Sequence, residues 1–318
     1  MYNRTTLTPG NDSTRIANMP ELKDKLCSLS EAASLIKDGA RIHIGGMSVH
    51  NHPMAFVYEL IRRGVKDLTI VGHVSSGEVD ILIGAGCVGR IEISYVGLEE
   101  FGLAPNFRRA VENGEIELVE YSEPVSFERF NCSARGQSFF PTHEMLGTDL
   151  PKYNPDIREM VSPFTGRKCH IVPAADPEWV IVHAPMADKH GNVLYFENRQ
   201  LPQNLDLTAS RSCDNVIVTV EQVISHDRVI GLSRLNMIPR FRTTAIVEAP
   251  YGAHPSSCLQ VYDRDREHMA LYARMARDAD EFKKYLDKYV YGVKSHMGYL
   301  KLIGVESLTK LRFIGGNL

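Results

Sequence analysis

Arg41-Ile42-His43-Ile44-Gly45-Gly46, then Pro53-Met54-Ala55-Phe56-Val57-Tyr58-Glu59-Leu60-Ile61-Arg62-Arg63-Gly64, then Leu68-Thr69-Ile70-Val71-Gly72, is the stretch that decides the fold. A short apolar strand runs into a glycine pair. A helix follows, opened by a proline and stopped by a glycine. A second apolar strand then begins. Two buried strands joined by a ten-residue helix form a βαβ unit, which places the strands parallel.

The alternation continues outward from this unit. The pattern predicts a helix over 26–37, capped by Ser28 or Ser30, before the first strand. After the second strand it predicts a helix over 80–85, a strand over 90–95, a helix over 105–113, a strand over 115–121 and a helix over 125–136. Residues 139–166 are rich in Pro, Gly and Asp and read as a long loop of the kind that often carries function. Strands restart at 168–172 and 179–183, with the turn Ala187-Asp188-Lys189-His190-Gly191-Asn192 before 193–196. Further strands are predicted over 215–220 and 244–247, and a long amphipathic helical region over 263–289 with a break near Asp278. The expected fold class is α/β, an open, mostly parallel sheet flanked by helices. Residues 1–20 read as a flexible N-terminal extension and 21–318 as a single domain.

Composition excludes several functions. The formal net charge of −3 and the scattered Lys and Arg supply no footprint for nucleic acid. The charges from Arg264 to Arg277 alternate in sign, as on a solvated helix face. No signal-peptide core and no run of about 18 apolar residues occurs, so no membrane span is expected. The six cysteines show no C-x-x-C pair, and reduced thiols in a cytoplasmic protein are expected.

In an open α/β sheet, ligands bind in the loops after the strand C-termini. That rule points to 45–53, 72–80, 96–102 and 122–124. Gly45 and Gly46 would let backbone N–H groups approach an anion or a thioester carbonyl, or simply make a tight turn. No G-x-G-x-x-G or Walker pattern accompanies them. His50-x-His52 would suit two metal ligands, but no carboxylate stands close by, so polar loop lining with no metal is expected. Ser75-Ser76-Gly77, with Glu78 and Asp80, leaves room for a ligand whose carboxylate the hydroxyls can bind, or caps the next helix. Glu99, Glu100 and Glu123 are carboxylates at strand ends, suited to attack on a thioester or to general base work. Tyr251-Gly252-Ala253-His254-Pro255 follows a buried strand. There His254 is a cleft contact or a structural histidine.

Read together, these pieces resemble the A-type subunit of the glutaconate CoA-transferase family, within the class I CoA-transferases. The matching segments include Ile44-Gly45-Gly46-Met47 with Pro53, Leu82-Ile83-Gly84-Ala85-Gly86, Val180-Ile181-Val182-His183-Ala184, Val218-Thr219-Val220-Glu221 and residues 249–256. The resemblance spans about residues 27–293. It implies a fold of the CoA-transferase / ribose-phosphate isomerase-like kind. It also implies a partner, the B-type CoA-transferase subunit, commonly in a heterotetramer. The substrates implied are an acyl-CoA and a (di)carboxylic acid, with a coenzyme A thioester as substrate and no permanently bound cofactor. The nucleophilic glutamate implied by the family belongs to the B-type partner. Glu123 departs from the transferase pattern toward related hydrolases that open rings of steroid-derived CoA thioesters, which carry a glutamate there. In that alternative Glu123 acts as a base. The expected site is therefore Glu123 as the catalytic residue, with Ser75, Ser76, Gly77, His50, Asn51, Gly45, Gly46 and His254 as substrate-binding residues. Sugar-sensing regulators share the broad fold class, but their DNA-binding helix-turn-helix has no counterpart here.

Overall fold

The computed structural model of the chain describes residues 22–313. The expected extension over 1–20 lies outside the described residues. The strands, in chain order, are β1 (Arg41–Ile44), β2 (Leu68–Val71), β3 (Val74–Ser75), β4 (Val88–Ile93), β5 (Tyr95–Val96), β6 (Glu117–Glu120), β7 (Phe139–Thr142), β8 (Arg158–Val161), β9 (Lys168–Pro173), β10 (Trp179–Asp188), β11 (Val193–Leu194), β12 (Val216–Ile224), β13 (Asn236–Ile238) and β14 (Thr243–Glu248).

The main sheet runs β6-β4-β2-β1-β10-β12-β14, every neighbouring pair parallel. The short strands β11 and β13 add antiparallel beside the C-terminal half of β10 and complete a nine-stranded sheet. The strand order grows one way from β1 through β2, β4 and β6, and the other way from β10 through β12 and β14. The switch point lies between β1 and β10, where the loops after parallel strands open a crevice.

Each buried strand serves two cores because side chains alternate. Ile42, Ile44, Ile70, Ile181 and Val247 pack with the Met54–Arg63 and Gly77–Gly84 helices and with the C-terminal helices. Val71, Val180, Val182, Val218 and Ile246 pack on the opposite face with Phe130 and Leu207. Phe130 lies on the Glu123–Ala134 helix and Leu207 on the Leu201–Ala209 helix.

Local chemistry accounts for the boundaries. Ser28 caps Leu29–Ala33 in a capping box with Glu31. Gly64 closes Met54–Arg63 in the left-handed conformation, and Asp278 caps Ala279–Leu286, which produces the expected break. One expectation is overturned. Residues 139–166 are not one long loop: β7 and β8 pair antiparallel on either side of β9 as a separate three-stranded sheet. Pro141 and the exposed polar residues hide the strand pattern, and the pairing partner lies beyond the stretch, at 168–173.

Candidate active site

The loops after β1, β2 and β14 converge on one small chamber at the C-terminal edge of the sheet. Val49 and His52 come from the first loop, Ser76, Gly77 and Glu78 from the second, and Pro255 and Ser256 from the third. Tyr58, Tyr272 and Tyr285, from three helices, line it as well.

The glycine pair has a steric purpose. A Cβ on Gly45 would stand 2.6 Å from Asp206 Oδ1 and 2.8 Å from Val182 Cγ1. Gly46 adopts φ +91°, and a Cβ there would stand 2.6 Å from His52 Nδ1. Both N–H groups are already engaged: Gly45 donates to Ile181 O at 2.7 Å, and Gly46 donates to Asp206 Oδ1 at 2.7 Å. This corrects the expectation that Gly45 and Gly46 offer their N–H groups to a ligand. They bring the β1 loop against β10 and the Leu201–Ala209 helix.

His52 Nδ1 lies 2.8 Å from Gly45 O, and Nε2 lies 2.6 Å from Ser48 O and 3.2 Å from Glu78 Oε2. Every neighbour of the ring is an acceptor: two backbone carbonyls and the Glu78 carboxyl. Glu78 is fully buried, and each of its oxygens accepts the Ser76 N–H at 3.0 Å. Burial pushes the Glu78 carboxyl up from its ordinary value, against the opposing pull of His52. Ser76 Oγ is buried and has no partner among the described residues. It sits at the N-cap of the Gly77–Gly84 helix, whose first turn leaves N–H groups without intrahelical partners. Gly77 leaves the approach open, since an added Cβ would meet only Leu98, at 3.9 Å. Ser75 is buried in β3, paired with Val96 of β5.

The other expected contacts are ties within the chain. His50 Nδ1 meets Ser257 Oγ at 2.6 Å, and Asn51 Oδ1 accepts the Leu259 N–H at 2.9 Å. His254 corrects the expectation of a substrate contact, because both its ring nitrogens are engaged, Nδ1 with Tyr299 Oη at 2.7 Å and Nε2 with Asp265 Oδ2 at 3.0 Å. Its loop is anchored from below by Glu221, which accepts N–H groups of Tyr251 at 2.7 Å and Gly252 at 3.2 Å, and the Tyr262 O–H at 3.0 Å. Tyr251, with φ +53°, turns over that carboxylate. His183 Nε2 lies 2.7 Å from the same group. His183, Glu221 and Cys258 hold potential ligand atoms within 4.8 Å of one another. The Glu221 oxygens are nonetheless filled by those donors, and burial pushes the Cys258 thiol well up, away from the thiolate a metal needs.

Glu123 is the first residue of the Glu123–Ala134 helix after β6, is exposed, and does not line the chamber. Elsewhere His43 and His73 lie 5.3 Å apart between ring centroids and pack on Phe130, a residue of the same Glu123–Ala134 helix. Burial pushes His43 down to about 4 and His73 well down, so both rings are neutral at physiological pH. Sequence reading missed Asp206, because its helix carries no clear apolar period. His52 and Glu78 lie in two of the strand-end stretches named from the sequence, and their 3.2 Å approach carries no signal along the chain.

An open parallel sheet with flanking helices and a small chamber lined by the loops after β1, β2 and β14 defines an α/β protein whose strand-end loops form a crevice. The model of the coenzyme A transferase family matches residues 27–249, and the chain belongs to that family. The chain is 36% identical over 300 residues to an Archaeoglobus fulgidus protein of uncharacterised function, covering 92% of this chain and 66% of the relative. It is 32% identical to the A-type subunit of 3-oxoadipate CoA-transferase from Pseudomonas knackmussii, covering 85% of this chain and 95% of the relative. One component of the cholesterol ring-cleaving hydrolase of Rhodococcus jostii is 28% identical, with 86% and 94% covered. The crystal structure of glutaconate coenzyme A-transferase from Acidaminococcus fermentans superposes with a TM-score of 0.86 at 28% identity, covering 92% of this chain and 96% of that one. Among the described residues no helix is long and apolar enough to cross a membrane.

Proposed function

We propose that this chain is the A-type component of a heteromeric enzyme that moves CoA between an acyl-CoA and a carboxylic acid, with a glutamate of its B-type partner as nucleophile. One observation carries the reading. The acidic group that lines the crevice is committed to the chain itself: both oxygens of the buried Glu78 carboxyl accept the Ser76 N–H. A carboxylate that attacks a thioester must be free to reach it. The crevice therefore supplies binding and polarisation, through Ser76 and the first turn of the Gly77–Gly84 helix, and the attacking group comes from the partner. The names of the relatives from Pseudomonas knackmussii and Acidaminococcus fermentans support this assignment.

A second reading rests on Glu123. It is exposed at a strand end, where a base could reach a bound water or an α-proton, and a ring-cleaving hydrolase stands among the relatives. The two readings separate in one experiment. The chain is co-expressed with its B-type partner and assayed with acetyl-CoA and a panel of acids, as wild type and as Glu123→Gln. Transfer that survives Glu123→Gln and is abolished by borohydride reduction of a thioester on the partner supports the first reading. Full transferase activity from this chain alone would sink it. Loss of a hydrolytic activity in Glu123→Gln, with no transfer to any acid, supports the second.

A further inference from the structure

We infer that the acid accepted at this site is a short, unbranched monocarboxylic acid whose small apolar tail enters the chamber behind Ser76. The inference rests on the transferase reading proposed above and deepens it.

The chamber lies where an acid bound at Ser76 would extend. Ser76 Oγ, buried and unpartnered among the described residues, lines it, and so does Gly77 at the start of the helix. A carboxylate or thioester carbonyl held there by the hydroxyl and the first-turn N–H groups directs its carbon chain inward. What lies inward is mostly apolar: Met54, Ile81, Leu98, Phe101 and Met269. Among the described residues no Lys or Arg lines the space. The carboxyl group that does line it, Glu78, is buried with both oxygens bonded. A second carboxylate on the substrate would enter without a basic partner and beside that acid, losing its hydration uncompensated.

Size sets a second limit. The free space is about 20 Å³, room for about one water-sized sphere. A terminal methyl group fills it, and a ring system does not fit. Two of the lining tyrosines are tied in place: Tyr272 donates to the buried Asp80 at 2.6 Å, and Tyr285 Oη lies 2.8 Å from His268 Nε2. Chain length is therefore sensed by contact, where a single methylene changes selectivity by about tenfold or more.

The test uses the complex with its B-type partner. Exchange of acetyl-CoA with each acid releases acetate and forms the new thioester, one thioester bond broken and one made. The acids are propionate, butyrate, hexanoate, succinate and glutarate. Their binding is measured in parallel by calorimetry, without acyl-CoA. We expect kcat/KM for propionate and butyrate to exceed that for either dicarboxylate by about tenfold or more. Met269→Ala should raise the hexanoate-to-propionate ratio by a similar factor. Ile81→Val, a loss of one methyl, should shift the ratio the same way by less, and it serves if Met269→Ala does not fold. Preference for a dicarboxylate, or an unchanged chain-length profile in both variants, overturns the inference and leaves the transferase reading standing. Transfer to no acid, with calorimetry still favouring butyrate over glutarate and following the Met269 and Ile81 changes, supports the chamber and overturns the transferase reading.

Discussion

Replacing Asp206 by Asn should stabilise the protein, by an amount that depends on pH. Asp206 is fully buried, its Oδ1 accepts the Gly46 N–H at 2.7 Å, and its Oδ2 has no partner among the described residues. Burial raises its pKa from 3.8 to about 8, with the Gly46 hydrogen bond pulling the other way. In the fold the carboxyl keeps its proton across neutral pH, while the unfolded chain has released it. Because the native state binds the extra proton, stability is greatest below the unfolded pKa and declines as pH rises toward the folded one. Each unit corresponds to about 1.36 kcal/mol, so the gap between 3.8 and pH 7 amounts to about 4 kcal/mol, as a ceiling. Asn keeps the shape and the acceptor for Gly46 but has no proton to hold. Its amide N–H groups meet the same unpartnered surroundings as the carboxyl proton does, which brings the expected gain at pH 7 to about 2–4 kcal/mol. The neighbours do not confuse the reading, since burial holds Tyr195 and Cys258 well above their ordinary values and neutral throughout. Urea unfolding between pH 4 and 8.5, followed by the single tryptophan, Trp179, measures both proteins. The variant should be no more stable than the wild type near pH 4 and should gain on it as pH rises. A constant difference across that range, or a wild type that does not weaken between pH 5 and 8, would refute the argument.

Two further outcomes follow from buried charges. Glu92 binds Arg41 at 2.6 and 2.8 Å and Arg129 at 2.6 Å, and although burial opposes ionisation, these partners hold its carboxyl down to about 2. Its stabilisation is present above the ordinary value of 4.5 and is lost as pH falls through about 2. Glu92→Gln should cost about 3 kcal/mol or more at pH 7, by leaving the buried Arg129 cation without its counter-charge, and should flatten the acid limb of a stability profile. Glu221→Ala strips an acceptor from the Tyr251 and Gly252 N–H groups and the Tyr262 O–H, at a cost of about 3 kcal/mol or more. Hydrogen exchange should then quicken over residues 249–256 before any other part of the sheet edge, and uniform quickening would contradict the anchoring role.

The β-branched runs of β1, β2, β10, β12 and β14, separated by helix-length segments with Pro and Gly at their ends, made the parallel sheet legible from the chain alone. So did Asp278, whose side chain breaks the C-terminal helices by a local hydrogen bond. Such signals are local: period, cap and turn act within a few residues. The small β7-β9-β8 sheet was not legible, because its pairing depends on partners up to tens of residues away, while its exposed faces carry no clear alternation. The same divide runs through the site. The sequence by itself determined which loops stand at the strand ends, since strand direction and order follow from βαβ connectivity. Tertiary structure alone decided which polar groups remain available there. Gly45, Gly46, Asn51 and His254 look free in the sequence and are taken up by Ile181, Asp206, Leu259, Tyr299 and Asp265. Ser76 looks like an ordinary helix cap and is left unpartnered, among the described residues, at the mouth of an apolar chamber. A hydrogen bond depends on distances of a few tenths of an ångström between residues far apart in the chain, and no pattern of neighbours along a sequence encodes that.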